Sequence, residues 1–270
     1  MRVASVALLG AALAMSGTAS AASGWATHGA LGLVMARGST TTDSGNLNLD
    51  VAHLAGRWTY RVGLTAIYAS ARSMTTQQDL NAHLETELAL SRRMFWFAGM
   101  RYDRNLFNGF AYQESLASGM GRILLLTKST KLSAELGAGF RREQPELLVT
   151  NALGAVTSRT REAVVGDAVL HAGLQVSHSF NKATTLKNKL LVEAGSSDTM
   201  TRDSLSLQVK MNTMLALAVG VTLVNNTNPP RGDARHTDTV MTVNLVYEVK
   251  SPKLSAKAPS SDLFESLDMP

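Results

Sequence analysis

Twelve titratable side chains fall at alternate positions within runs of otherwise apolar residues: Arg61, Glu85, Glu87, Arg101, Asp103, Glu135, Asp167, His171, Lys187, Lys189, Glu193 and Lys210. Both signs are represented. Side chains of this kind on one face of an enclosed wall must pair or stay hydrated, because burying a lone charge is prohibitive. The chemistry they suit is an ion-pair network across an interior. Such a network either plugs the interior and holds its shape or lines a solvated passage, and the residues alone leave both open.

Covalent chemistry has much less support. His53, His83, His171, His178 and His236 are scattered along the chain. His83 and Glu85 share a face, which is the arrangement that orients a general base, yet neighbours two apart on a polar face arise from alternation alone. Neither Gly-x-Ser-x-Gly nor His-Glu-x-x-His occurs. Gly137-Ala138-Gly139 lies within an extended run with no helix behind it, so it lacks the amide nest that cradles a phosphate. Arg231-Gly232-Asp233, between Pro229-Pro230 and Ala234, reads as a polar hairpin loop. With no cysteine, thiol catalysis, thiolate metal sites and disulfides are excluded. No catalytic residue, metal ligand or cofactor is expected. Clustered Lys/Arg with interleaved aromatics is also missing, so no nucleic-acid partner is expected.

The elements that position the twelve are strands. Trp58, Tyr60, Val62, Leu64, Ala66 and Tyr68 alternate with Thr59, Arg61, Gly63 and Thr65. Leu132, Ala134, Leu136, Ala138 and Phe140 alternate with Lys131, Ser133, Glu135 and Arg141, and Leu205, Leu207 and Val209 with Ser204, Ser206, Gln208 and Lys210. A 3.6-residue period would not hold this parity for so long. Twelve strands are predicted, at 28–38, 45–54, 57–70, 77–90, 93–104, 109–124, 130–142, 162–178, 184–196, 201–212, 214–225 and 237–249. Their length exceeds the usual 5–6 residues of a soluble sheet and fits the roughly 9–11 of a membrane strand. Short turns such as Ala55-Gly56, Ser91-Arg92, Lys128-Ser129 and Asn181-Lys182 alternate with longer polar loops, 143–161 being the longest. Short links at one end and long ones at the other are the signature of an outer-membrane barrel, and an even count returns both termini to the periplasmic side. Gly99, Gly119, Gly121, Gly137 and Gly139 fall on the polar parity, where they let the sheet bend or leave interior space. The expected fold is all-β, an antiparallel up-and-down transmembrane β-barrel of about twelve strands over 22–249.

Composition agrees. The 270 residues have 45% hydrophobic and 17% charged side chains, against about 25% charged in a typical soluble domain. Mean hydropathy is +0.01, which excludes a polytopic helical membrane protein. Arg2, the apolar Val3 to Met15 and the small Ser16 to Ala21 form a secretory signal peptide over 1–21. Residues 250–270, with three prolines and many serines, read as a disordered periplasmic tail. Trp58, Phe95, Trp96, Phe97, Tyr102, Phe110 and Tyr112 lie near predicted strand ends, where girdle aromatics belong, although 6% aromatics is thin for two girdles.

Phe97-Ala98-Gly99-Met100-Arg101-Tyr102-Asp103-Arg104, Phe107 to Tyr112, Lys131 to Glu143, Thr237 to Tyr247 and the Gly/Thr/Asn-rich Ser39 to Asn46 together resemble the domain-of-unknown-function 481 (DUF481) family of salt-induced outer membrane proteins, over about residues 30–249. The resemblance implies a proteobacterial outer-membrane barrel and supplies no catalytic residues to carry over. The expected role is a porin-like narrow channel or a structural, stress-response barrel without enzyme activity, with the twelve polar-parity residues lining the pore. Its expected partners are outer-membrane lipids including lipopolysaccharide (toward which a pI of 9.6 inclines it), the barrel-assembly machinery during insertion, and small solutes or ions. Two rivals stand beside it. A lipid-modifying outer-membrane hydrolase would need an exposed Ser–His pair on the lipid-facing wall. A soluble periplasmic β-protein binding a lipid or sugar would stay soluble after carbonate washing of membranes. Intact-mass analysis of the exported protein is expected to place the mature N-terminus at Ala22; an uncleaved Met1 in the envelope fraction would contradict the leader assignment.

Overall fold

The strict alternation of the sequence gives every long strand one apolar and one polar face, and such strands gain most by closing into a cylinder. The computed structural model describes residues 23–36, 42–71, 74–105, 109–150, 156–229 and 236–250. The expected leader, the tail beyond Lys250 and Arg231-Gly232-Asp233 lie outside the described residues. Thirteen strands form: β1 (Ser23–Ala36), β2 (Thr42–Ala55), β3 (Trp58–Ala71), β4 (Met74–Ala89), β5 (Met94–Asn105), β6 (Phe110–Leu126), β7 (Thr130–Thr150), β8 (Val156–Arg161), β9 (Val165–Ser179), β10 (Thr184–Gly195), β11 (Thr199–Lys210), β12 (Leu215–Asn226) and β13 (Thr237–Lys250). Every strand except β8 pairs antiparallel with a neighbour on each side, β7 pairing in addition with β8, and β1 pairs with β13. The result is a closed twelve-stranded antiparallel barrel, so no edge is left unpaired around the cylinder.

The thirteenth strand is a difference from the sequence reading. What reads as the loop 143–161 is largely strand: β7 runs on to Thr150, and β8 folds back on it as a hairpin. Glu146 holds the two arms together by pairing with Arg159 (3.4 Å) and Arg161 (3.2 Å). The hairpin therefore satisfies its own backbone, and none of its described residues lines the central cavity.

Four short turns are built the same way. In each, the first residue turns its side-chain oxygen back to accept two amides: Ser91 from Arg93 and Met94, Thr127 from Ser129 and Thr130, Asn181 from Ala183 and Thr184, and Asn212 from Met214 and Leu215. These are the Ser, Thr and Asn turns that make tight links without glycine. The fifth, at Gly56-Arg57, uses a glycine at φ 63°.

Parity is uniform around the barrel. Leu31, Leu49, Val62, Leu84, Met100, Leu116, Leu136, Leu170, Leu207, Val219 and Val243 are all exposed on the outside. The thin aromatic complement is concentrated at two levels. Trp25, Trp58, Tyr60, Trp96 and Tyr247 ring the short-turn end, where Trp58 stacks on Tyr60 (6.1 Å) and meets Trp96 edge-on (6.3 Å). Tyr68, Tyr102 and Tyr112 mark the other level, the last two stacked at 6.4 Å. Phe95, Phe97 and Phe110, by contrast, turn inward and are buried. Trp58 and Tyr68 are ten residues apart on β3, or about 25 Å along the axis at about 3.3 Å rise and ~40° tilt, the height of an outer-membrane apolar band. The outer face has a polar exception at Asp203 on β11, which accepts from Asn188 on β10 at 2.6 Å.

Inside, the glycines of β6 and β7 make room. Gly119 and Gly137 are register partners whose backbones approach closely, and a Cβ at Gly121 would collide with the ring of Phe95. Gly121→Val is expected to expel Phe95 from its seat and to cost about 1–3 kcal/mol, typical of an overpacked interior. The temperature at which the folded, fast-migrating band converts to the unfolded one on gels should fall; an unchanged conversion temperature would contradict this packing.

Candidate functional site

The barrel interior is stratified. Toward the short turns it is filled: Ala89, Phe95, Phe97, Ala117 and Ile123 form one apolar cluster, Ala30, Ala216, Ala218 and Val246 a second, and Ala52 and Leu54 a third. Between them runs a polar chain in which Lys187 donates to Gln208 (3.4 Å), Gln208 donates to Glu248, and His28 stands 3.7 Å from Glu248.

The next level is ionic. Arg61 grips Glu87 through both terminal nitrogens (2.8 and 3.0 Å) and also pairs with Glu85. A two-pronged guanidinium–carboxylate contact of this kind is among the strongest neutralising geometries. His171 lies between Glu135 (3.4 Å) and Glu193 (3.7 Å), with its ring 5.2 Å from that of Phe97.

Above this the interior is spanned. Arg101 on β5 donates to Glu193 on β10 at 2.6 Å, and Arg202 on β11 donates to Asp103 on β5 at 2.7 Å. Arg101 also lies 3.1 Å from Asp103, so the four groups form one chain. β5 is not a sheet neighbour of β10 or β11, which means these bonds cross the lumen. Close by, Arg141 is only 1% exposed. It donates to the Asp198 carbonyl (2.8 Å) and carboxylate (3.3 Å) and to the Glu193 carbonyl (3.4 Å), drawing the link between β10 and β11 inward. Asp198 also accepts from Thr227 and from the Asn228 amide.

Along the other side of the lumen a cavity of about 290 Å³ stays open. It reaches from the long-loop rim, at Ile67, Asp79, Asn105 and Asp238, down to Asp50, His83, Glu85 and Lys189. Its charged lining comprises seven carboxylates (Asp50, Asp79, Glu85, Asp103, Glu135, Glu193, Asp238) against Arg101, Arg104, Lys189 and Arg202. Among the described residues, no group of three or more His, Asp or Glu is arranged to hold a metal ion.

All twelve residues singled out by sequence lie on the inward parity, but they do different things. Arg61, Glu85, Glu87, Arg101, Asp103, Glu135, His171 and Glu193 form the ionic levels. Lys189 lines the cavity and Lys187 belongs to the filled layer. Asp167 sits at the long-loop rim, accepting from Ser196 and Ser197, and Lys210 is exposed at the opposite mouth. Arg141, Asp198 and Arg202 were not singled out. Arg141 and Arg202 share the inward parity that marked the others, whereas Asp198 sits in a loop and carries no such signal. The sequence's candidate pair His83–Glu85 does not form; His83 instead faces Asp50 at 3.6 Å. On the outer wall, Thr130 Oγ1 and His178 Nδ1 are 2.8 Å apart, but the other neighbour of that imidazole is the Phe180 ring (4.8 Å), and no carboxylate among the described residues pairs with it.

Residues 29–249 match the family described as "Protein of unknown function, DUF481". No curated protein matches the chain. Among solved structures, the chain is similar to the NanC porin, at 11% identity and a TM-score of 0.43, covering 84% of this chain and 97% of that one. It is also similar to the COG4313 outer membrane channel from Pseudomonas putida F1 (12%, 0.44, covering 85% and 95%) and to the translocator domain of the autotransporter NalP from Neisseria meningitidis (13%, 0.38, covering 83% and 87%). At these scores the likeness adds nothing to what strand order and pairing already establish.

Removing one partner of the spanning chain leaves the other buried and uncompensated. Arg101→Gln is expected to destabilise the barrel by about 3–5 kcal/mol. Arg101→Met combined with Glu193→Leu should recover most of that loss, measured by denaturant unfolding of the refolded protein. A single variant as stable as the wild type would contradict the bridge.

Proposed function

The chain belongs to the DUF481 family, and we propose that it is an outer-membrane barrel acting as a narrow conduit for small cations, held shut at mid-depth in this conformation by its arginine–carboxylate bridges. The membrane part of this reading rests on the apolar exterior between two aromatic levels, interrupted by the Asp203–Asn188 pair, which suits a hydrocarbon layer and little else. The short turns then face the periplasm and the long loops the cell exterior. The conduit part is carried by one observation: an acid-rich polar cavity that enters from the long-loop rim, runs beside the bonds spanning the lumen and ends at the level of Asp50, His83, Glu85 and Lys189. An acidic lining in a low-dielectric wall concentrates cations and repels anions. Catalysis forms no part of the reading, since the hydroxyl–imidazole pair on the lipid face lacks the acid that would orient it as a base.

The small apolar and ionic groups that fill the periplasmic half support a closed ground state rather than a wide water-filled pore. Opening requires the Arg101–Glu193 and Arg202–Asp103 pairs to exchange each other for water, which the polar cavity beside them can admit. In planar bilayers at high salt, the refolded wild type is expected to give small, infrequent, cation-preferring steps. Arg202→Gln should raise open time and step size severalfold, and Asp50→Asn with Asp79→Asn should lower cation preference. Silence from wild type and Arg202→Gln alike, in barrels that still shift on gels with heating, would overturn the conduit and leave a plugged structural barrel.

A further inference from the structure

Outside the lumen, the short-turn end carries a one-sided charge that the conduit does not use. Arg57, Arg92, Arg93, Arg122 and Lys128 are all exposed there, on three turns and one outer strand face. They are brought together by backbone geometry. The Arg57 guanidinium donates to the carbonyls of Ala89 (2.7 Å) and Leu90 (3.1 Å), pinning the β2–β3 turn against the end of β4. The Ile123 amide donates to the Arg93 carbonyl at 2.8 Å, and Arg122 is the register partner of Met94, so Arg93 and Arg122 sit on adjoining strands. No carboxylate among the described residues is exposed at this end. Glu87 and Glu248 lie inside the barrel and are buried there.

The surroundings of Arg122 define the ligand. It occupies the lipid-facing register of β6 between Met120 and Leu124, both exposed, with Met94 and Leu90 exposed beside them. A cation cluster directly beyond an apolar wall matches a molecule that joins a phosphate to long apolar chains. Soluble anions match only the first half, and so do the acidic peptides of the cell wall.

We propose that Arg92, Arg93 and Arg122 form a binding site for an anionic glycerophospholipid of the periplasmic leaflet, the phosphate held by the guanidinium groups and the acyl chains lying along Met120 and Leu116, which follow Arg122 toward mid-membrane on the same face. Planar guanidinium groups bind phosphate oxygens through paired donors, and they do so more strongly beside apolar surface than in open water. Basic residues at a membrane surface also favour anionic over zwitterionic lipid. The site rests on the membrane reading given above.

The test uses the full chain refolded in neutral detergent and titrated with phosphatidylglycerol or phosphatidylcholine of identical acyl chains, read by native mass spectrometry. Wild type is expected to retain at least about fivefold more phosphatidylglycerol. Arg92→Gln/Arg93→Gln/Arg122→Gln should fall to the phosphatidylcholine level, with Arg122→Gln alone intermediate should the triple variant not fold. Arg104→Gln/Arg142→Gln, at the opposite rim, should leave the preference unchanged. Equal retention of both lipids by wild type, full retention in the Arg122 variants, or complete displacement by inorganic phosphate or by soluble cell-wall fragments would overturn the site. Failure of the wild type to insert into liposomes would instead sink the membrane reading, so the two failures are distinguishable.

Discussion

Everything in this molecule depends on closing the sheet. In hydrocarbon, each unsatisfied amide or carbonyl costs several kcal/mol, so a strand protein can cross a membrane only as a cylinder whose last strand pairs with its first. Here that seam is β1 against β13, in register from Ala26–Lys250 to Leu31–Leu245. Once it is made, the only freedom left to a residue is which side it faces, and a period of two settles that for a whole strand at once. A one-residue slip anywhere would put Arg61 or Glu193 into lipid and Val62 or Val192 into the lumen.

The interior answers the problem that closure creates. A polar parity on twelve strands brings many charges into one enclosed space, and they persist only by neutralising each other. The structure does this in tiers, with an apolar and amide-filled layer below, ion pairs at mid-depth, and beside them a polar cavity that reaches the long-loop rim. Small residues take part as much as charged ones. Gly121 provides the seat for the Phe95 ring, and a Cβ at Gly173 would run into the Glu135 carboxylate, so large inward groups lie over strands that carry nothing. Narrowness follows from this packing and not from the strand count, since twelve strands with smaller inward side chains would enclose a wider bore.

Much of this was legible in the sequence, and the boundary of legibility has a physical cause. Alternation and the short-long rhythm of links specify strands, parity and closure, because those depend only on neighbours along the chain and across one ladder. They specify that Arg101 and Glu193 face inward. They do not specify that the two meet, since that depends on how far the barrel shears and which strands stand opposite. Arg202 carries the same signal as its neighbours, sharing the parity of Ser204 and Ser206, whereas Asp198 carries none because a loop has no period. The segment after Glu143 has the composition of a loop, yet it continues as strand, with Glu146 meeting Arg159 and Arg161 on the paired arm, a pairing that spacing alone does not announce.

The polarity of the exterior completes the picture: among the described residues, mixed charges surround the long loops and exposed cations without exposed carboxylates lie below the lower aromatic level. The most direct test of the whole account exploits the absence of native cysteine. Single cysteines placed in turn from Leu205 to Val209 on β11, spin-labelled in the full chain refolded into liposomes, report collision with oxygen and with a water-soluble nickel chelate. Oxygen maxima are expected at Leu205, Leu207 and Val209 and minima at Ser206 and Gln208, with the chelate excluded from all five. A flat profile, or a chelate that reaches Leu205 and Leu207 freely, would contradict it.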